Sequence, residues 1–542
     1  MSKKTAWKLF TYVPFVLIFL GIGTIHTLML ANEKAKPYPA SYGRATALPH
    51  LAANGKAVQP IGEGAFAYRS GQSLVYVSVN EEGRQVSQTR PLPDNGSFRS
   101  YTLTKEDAVW IGADKKLFAS EWKDGAWSPK QLLSEIGVSH VQAVNGANGS
   151  RLLLAYNEDN LYVGAIEGKK AISWSKLDIA GISQLQGVIE QDGSLGIVYA
   201  ANQEGKVAIG YAKLEAESLR PLQLNKLKDV ELTTSKLDDM SIIQEGTSLK
   251  VAYTISSNKS GKSALHLLSF PSNRPETAQD EQINLPVSKG VDSDTVLHPT
   301  FSKTPSGEGA LIVSSVYEKN RRLTSQEVYK LDLKEGKLSS SERLSHFDGF
   351  AEYPILISGK GHGLAVWLAP ENAGSFRVYY ATDQLPYLER MNTLTAQDYR
   401  IAAETLPLLW GIGLLTALLS LKWIVLPGLY LLVLSAFWQY LYDSHAKLNF
   451  GLSLGMYFVV KVLLINDYRK PLALQVMPDF LQSTWGYLLL YLIFGVLAYA
   501  FTRIWRKGLD ERNIGLELLY FVLLDGLMTN LWYSYFISPA FL

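Results

Sequence analysis

The chain has 542 residues, 47% of them hydrophobic, 11% aromatic and 19% charged, so it is long enough for several domains and too apolar for a disordered chain. Its 52 Lys and Arg against 50 Asp and Glu leave a net charge of +2, with no basic stretch in the middle to track a phosphate backbone, so nucleic acid is excluded as a partner. The absence of cysteine excludes disulfides, thiolate metal sites and a cysteine nucleophile together.

In chain order, the first element is an apolar run from Leu9 to Leu30, free of charge and preceded by Lys3, Lys4 and Lys8. A span needs about 20 residues and a signal-peptide core is shorter, so the run reads as an uncleaved anchor. The lysines favour an N-terminus left in the cytoplasm, which places the chain from residue 31 onward outside.

From residue 31 the chain is mixed and polar, and one pattern recurs seven times. The copies are Ala65-Phe-Ala-Tyr68, Ala108-Val-Trp-Ile111, Leu152-Leu-Leu-Ala-Tyr156, Leu195-Gly-Ile-Val-Tyr199, Leu249-Lys-Val-Ala-Tyr253, Ala310-Leu-Ile-Val313 and Leu364-Ala-Val-Trp367. Their spacings are 43, 44, 43, 54, 61 and 54 residues. Each comes after a Gly- or Asp-containing turn, such as Glu63-Gly64 or Asp192-Gly193, with a short apolar run before it. A second turn and further β-prone stretches come after each copy. Four short strands repeating at such a period form one blade of a propeller, whose central strands are buried on both faces and read as continuous apolar runs.

Residues from about 41 to 390 therefore resemble a seven-bladed β-propeller of the broad sialidase, kelch and WD architecture. The likeness is architectural, and no specific family is identified. The Trp-Asp dipeptide of WD repeats is missing, and Asp124-Gly-Ala-Trp127 is a degenerate echo of the sialidase-type Asp box. A pair of β-sandwiches or a solenoid are the competing folds. The last unit lacks a fourth strand before Leu385, so residues Ser41 to Leu51 are expected to supply it and close the ring.

Beyond residue 400 come five more candidate spans: Ile401–Leu421, Ile424–Tyr442, Leu448–Asn466, Thr484–Thr502 and Ile514–Phe536. Trp and Tyr crowd their flanks, as rings that favour the headgroup level do. The expected fold is thus an all-β seven-bladed propeller plus an α-helical transmembrane bundle of about six spans. The corresponding domains are residues 1–30 (anchor), 31–395 (extracytoplasmic propeller) and 396–542 (helical membrane domain). Arg503, Arg506, Lys507 and Arg512 fall outside in that topology, against the positive-inside tendency. A re-entrant Leu448–Asn466 would reverse the last spans.

Most chemical motifs fail on context. Ser260-Gly-Lys-Ser263 ends like a phosphate loop but sits in a hairpin. Gly451-Leu-Ser-Leu-Gly455 matches a nucleophile elbow but lies in an apolar helix, and no histidine comes after His445 to act as base for a serine protease of the rhomboid kind. Gly451 and Gly455 read instead as small residues for helix packing. The eight histidines have no metal-ligand spacing, and His298, His346 and His362 approach one another only through blade geometry. Asp238-Asp239 and Asp292-Ser-Asp294 read as loop acids. No cofactor, metal or catalytic residue is indicated.

Lys461 and Asp525 are the exceptions, each isolated in an apolar span. A charge at membrane depth costs at least about 2.5 to 3.5 kcal/mol, so an intramembrane polar pair between them is expected.

The functional expectation is a multi-pass membrane protein holding an extracytoplasmic propeller that binds a protein, glycan or lipid partner. It would serve as a scaffold or accessory subunit in a bacterial cell-envelope complex, with the question of enzymatic activity left open by the sequence. The alternatives are a propeller enzyme acting on envelope glycans, or a sensor or transporter gated by the propeller.

Overall fold

In the computed structural model the residues described are 3–541, apart from 36–40, 56–57, 95–97, 99, 146–150, 167–173, 204, 216, 232–233, 289–290, 305–308, 319–323, 335, 346–348, 373, 465–467, 469–476 and 508–511. The chain forms two compact units. One contains the N-terminal helix and the C-terminal helices, and the other contains residues 36–317 and 325–393.

The second unit is a seven-bladed β-propeller. Blade 1 spans residues 59–91, blade 2 spans 101–134, blade 3 spans 140–177 and blade 4 spans 182–231. Blades 5 and 6 span 235–283 and 296–343. Blade 7 takes its three inner strands from 352–382 and its outermost from Thr46–Ala52, which pairs antiparallel with Ser375–Thr382. The start of the domain thus supplies the fourth strand of the last blade and ties the two ends of the ring together.

The recurring apolar motif forms the second strand of each blade. Arg151–Tyr156 is buried at every position, and Leu195–Ala201 likewise. The outer strands alternate, as in Pro221–Glu231, because they face solvent on one side. Several turns before the motif hold glycine in the left-handed region, with φ of 59° at Gly64, 80° at Gly193 and 57° at Gly246. Apolar cores lie between the blades. Trp110 and Tyr76 join blades 1 and 2, Leu154 and Ile197 join blades 3 and 4, and Phe66 and Val366 join blades 7 and 1.

A short helix, Leu385–Met391, pins the closing strand. Its buried Tyr387 hydroxyl donates to the Arg44 carbonyl at 2.5 Å and accepts from Thr46 Oγ1 at 2.8 Å. The chain passes close to the Tyr387 side chain at Gly43 and Gly83, where an added Cβ would lie within 2.6 Å of it.

The first unit is helical: α1 (Lys3–Ala35), α2 (Ala396–Leu419), α3 (Val425–Phe437), α4 (Gln439–Ser444), α5 (Ala446–Leu463), α6 (Asp479–Gln482), α7 (Thr484–Arg506) and α8 (Ile514–Phe541). Five stretches among the described residues are long and apolar enough to cross a membrane. The difference from about six lies at Ile401–Leu421 and Ile424–Tyr442. The first and most of the second fall in one stretch of 42 residues, Ala396–Phe437, interrupted by a turn at Ser420–Ile424, so the count agrees roughly with the expectation. Asn466, the expected end of another span, lies outside the described residues.

Helix α8 is central, with 78% of its membrane-length window buried against 24–33% for the other four stretches. The outward faces carry exposed Leu415, Leu418, Leu432, Leu489 and Val496. An apolar exterior around a partly polar interior suits hydrocarbon surroundings.

Candidate functional site

The first strand of every blade lines the propeller axis, and together they enclose a cavity of about 900 Å³. Because all blades have the same strand order, residues near the start of each inner strand share one mouth. Gln59, Thr102, Gln142 and Gln186 line the wall on blades 1 to 4, and Asp239, His298 and Tyr353 line it on blades 5 to 7.

Polar side chains stitch neighbouring blades together around this wall. Gln59 Nε2 donates to the Tyr101 carbonyl at 2.8 Å and its Oε1 accepts from Leu103 N at 2.9 Å. Arg151 on blade 3 reaches back to Thr102 Oγ1 at 3.1 Å and pairs with Asp107. Gln142 Nε2 donates to Gln186 Oε1 at 2.9 Å, and Gln184 Nε2 donates to the Asp238 carbonyl.

Blades 5, 6 and 7 share a further device. In each inner strand two residues stand opposite one, making a β-bulge: Asp238-Asp239, His298-Pro299 and Tyr353-Pro354. Proline is tolerated in a strand at a bulge because the ladder hydrogen bond is already lost there. The bulge puts His298 at φ 52° and Tyr353 at φ 48°. Such a conformation costs about 1–3 kcal/mol for a non-glycine residue and persists only where the surroundings impose it, often at functional sites.

The bulges bring three side chains together. His298 Nδ1 lies 2.6 Å from Asp239 Oδ2, and the His298 and Tyr353 rings are 3.9 Å apart between centroids. Asp239 Oδ2 accepts from Nδ1–H, and in that tautomer of the imidazole Nε2 is an acceptor. No hydrogen-bond partner of Nε2 stands among the described residues. Nearby Glu352 is half-buried, and burial raises its carboxyl above the ordinary range. Burial also raises the Tyr353 hydroxyl, helped by the charges of Asp239, Glu352 and Asp238. At the start of the blade 3 strand, exposed His140 stacks on Tyr156 at 4.7 Å.

This geometry corrects several expectations from the sequence. Asp238 and Asp239 lie in a strand of blade 5, not a loop. His298 meets Asp239 rather than another histidine, His362 bonds the Lys360 carbonyl at 3.1 Å, and His346 lies outside the described residues. A cue was present in the sequence. His298-Pro299 and Tyr353-Pro354 recur at matching positions of consecutive units, and X-Pro in a strand signals a bulge.

In the helical unit Lys461 and Asp525 meet. Lys461 Nζ donates to Asp525 Oδ2 at 2.6 Å and to Thr529 Oγ1 at 2.8 Å, and the Tyr457 hydroxyl donates to the same Oδ2 at 2.6 Å. The ammonium also lies 4.3 Å from the centre of the Tyr491 ring. Among the described residues Gly451 and Gly455 pack against no other helix: both are exposed, and an added Cβ would meet nothing within 4 Å. Buried Ser453 between them donates to the Asn449 carbonyl at 2.9 Å, an ordinary helical bond rather than an elbow.

No protein-family model matches the chain, and no curated protein matches it. Among solved structures it is similar to polysaccharide lyase Uly1, at 10% identity and a TM-score of 0.40, over 65% of this chain and 94% of that one. It is likewise similar to the N-terminal domain of Nup159, at 11% identity and 0.36, over 64% and 96%. A third is Kuenenia stuttgartiensis hydrazine synthase, at 9% and 0.36, over 49% and 77%. These likenesses carry no functional argument.

Proposed function

We propose that the chain is a membrane-anchored binding protein whose propeller offers the mouth of its central channel to a ligand or partner outside the cytoplasm. It acts as a scaffold or accessory subunit in a bacterial cell envelope. The observation that carries this reading is the channel, lined by all seven inner strands and holding two strained side chains, His298 and Tyr353, at one mouth. Strain is retained where it presents a side chain that a relaxed strand would not. The apolar stretches supply the membrane attachment, and Lys3, Lys4 and Lys8 before the first of them favour an outside propeller.

A second reading, an enzyme acting on envelope glycans, is favoured by the gathering of Asp238, Asp239 and Glu352 around Tyr353. Purification from native membranes in mild detergent separates the two. A stoichiometric partner that remains bound supports the scaffold. Turnover of envelope glycan by the isolated chain, with no partner, overturns it in favour of the enzyme.

A further inference from the structure

The chemistry left open at the channel mouth narrows the ligand. This step rests on the binding reading above. The fixed charges there are largely paired: Asp239 with His298, and Asp238 with Lys236 at 2.6 Å. Asp238 also accepts from Ser256 Oγ. Among the described residues no three His, Asp or Glu are grouped to hold a metal ion. Arg151 on the cavity wall is already paired with Asp107, so an anionic ligand would gain no new ion pair from it and would face the Asp239 carboxylate.

What remains is uncharged. His298 Nε2 offers an acceptor lone pair toward the cavity, fixed in direction by the Asp239 bond and the strained backbone. The Tyr353 ring and the stacked His140–Tyr156 pair offer aromatic surface on separate walls. The carboxamides of Gln142, Gln184 and Gln186, each already holding one inter-blade bond, keep further donor and acceptor positions on the same group. A cavity of about 900 Å³ with these groups admits a ligand of several rings rather than a single small molecule.

We propose that this mouth binds an uncharged or N-acetylated oligosaccharide, with His298 Nε2 accepting a proton-donating hydroxyl of the sugar and Asp239 acting as the positioning residue that holds the ring. Hydroxyls donate and accept at once, as amides do, and the apolar faces of sugar rings lie against aromatic walls. The bulges explain why the pair comes from adjacent blades. A regular strand at either place would send the side chain to another face.

Titration of the purified full-length protein in detergent with four probes tests this: cellotetraose, maltotetraose, the N-acetylglucosamine tetramer and, as an acidic control, the galacturonic acid tetramer. Saturable binding of at least one uncharged tetramer is expected, with weaker or no binding of the acidic one. His298→Ala should weaken that binding tenfold or more. His298→Gly, which relieves the positive φ and so preserves the fold, should do the same with an unchanged melting temperature. His298→Gln, which retains an acceptor, should recover part of the affinity.

Failure of every uncharged tetramer to bind overturns the inference, as does wild-type affinity in the glycine variant or preference for the acidic tetramer. If a protein partner still co-purifies while no tetramer binds, the saccharide assignment falls and the scaffold reading stands. If a tetramer binds but is cleaved, the scaffold reading falls and the site assignment stands.

Discussion

Lys461 Nζ and Asp525 Oδ2 lie 2.6 Å apart, each with a fully buried side chain, and join helices α5 and α8 inside the bundle. Removing one partner strands the other charge, which typically costs about 3 to 5 kcal/mol, whereas removing both can be far milder. Lys461→Met and Asp525→Leu should each lower the amount of folded protein in membranes, and the double change should recover much of it. Quantitative blotting of membrane fractions reads this directly. Additive damage in the double variant would show that the two charges do not stabilise each other.

The closing strand gives a second prediction. Thr46–Ala52 covers the edge of Ser375–Thr382, with Leu48 and Ala52 buried against blades 7 and 1. Deleting it exposes that edge and removes burial worth about 1.5–3 kcal/mol for Leu48 alone. The melting temperature of the propeller should fall by many degrees, with aggregation on unfolding. Tyr387→Phe, losing the hydroxyl contacts to Arg44 and Thr46, should cost about 1 to 2 kcal/mol. An unchanged melting curve in both would place propeller stability elsewhere.

Acid stability is a third. Burial alone would raise the Asp280 carboxyl, but bonds from His266, Lys228 and Tyr253, with the charge of Lys228, hold it well below its ordinary value of 3.8. A carboxyl depressed in the folded state stabilises above its unfolded value, and the contribution is lost as pH falls below that value toward the folded one. Asp280→Asn should therefore cost about 1.5–3 kcal/mol at pH 7, the usual worth of hydrogen bonds to a charged group. The difference should shrink steadily below pH 4. Urea midpoints of both proteins across that range check the sign. A penalty independent of pH would mean that the charge is not what matters.

Topology gives a fourth. The lysines at positions 3, 4 and 8 before the first span favour the proposed orientation, in which residues 31–400 lie outside the cytoplasm. Protease added to intact spheroplasts should digest the propeller. Protection until lysis would reverse the orientation and remove the premise that the channel meets envelope ligands.

The blades were legible in the sequence because a strand buried on both faces must be apolar throughout and must come after a turn, so seven copies of that pattern mark seven sheets. The missing fourth strand after Val378-Tyr-Tyr380 likewise pointed to the start of the domain, since the last unit was one strand short of the four that make a blade. Lys461 and Asp525 were also legible, because an isolated charge in an apolar helix requires a partner and few were present. The tertiary structure alone decided the rest. Gly451 and Gly455 satisfied a packing spacing, yet spacing cannot say which helix face turns outward. The meeting of Asp239 with His298 depends on bulges in adjacent blades, 59 positions apart. Hydrophobic periodicity reports which face of a strand is buried, but a one-residue bulge re-aims a side chain without changing composition, and only the closed ring brings two such side chains to the same mouth.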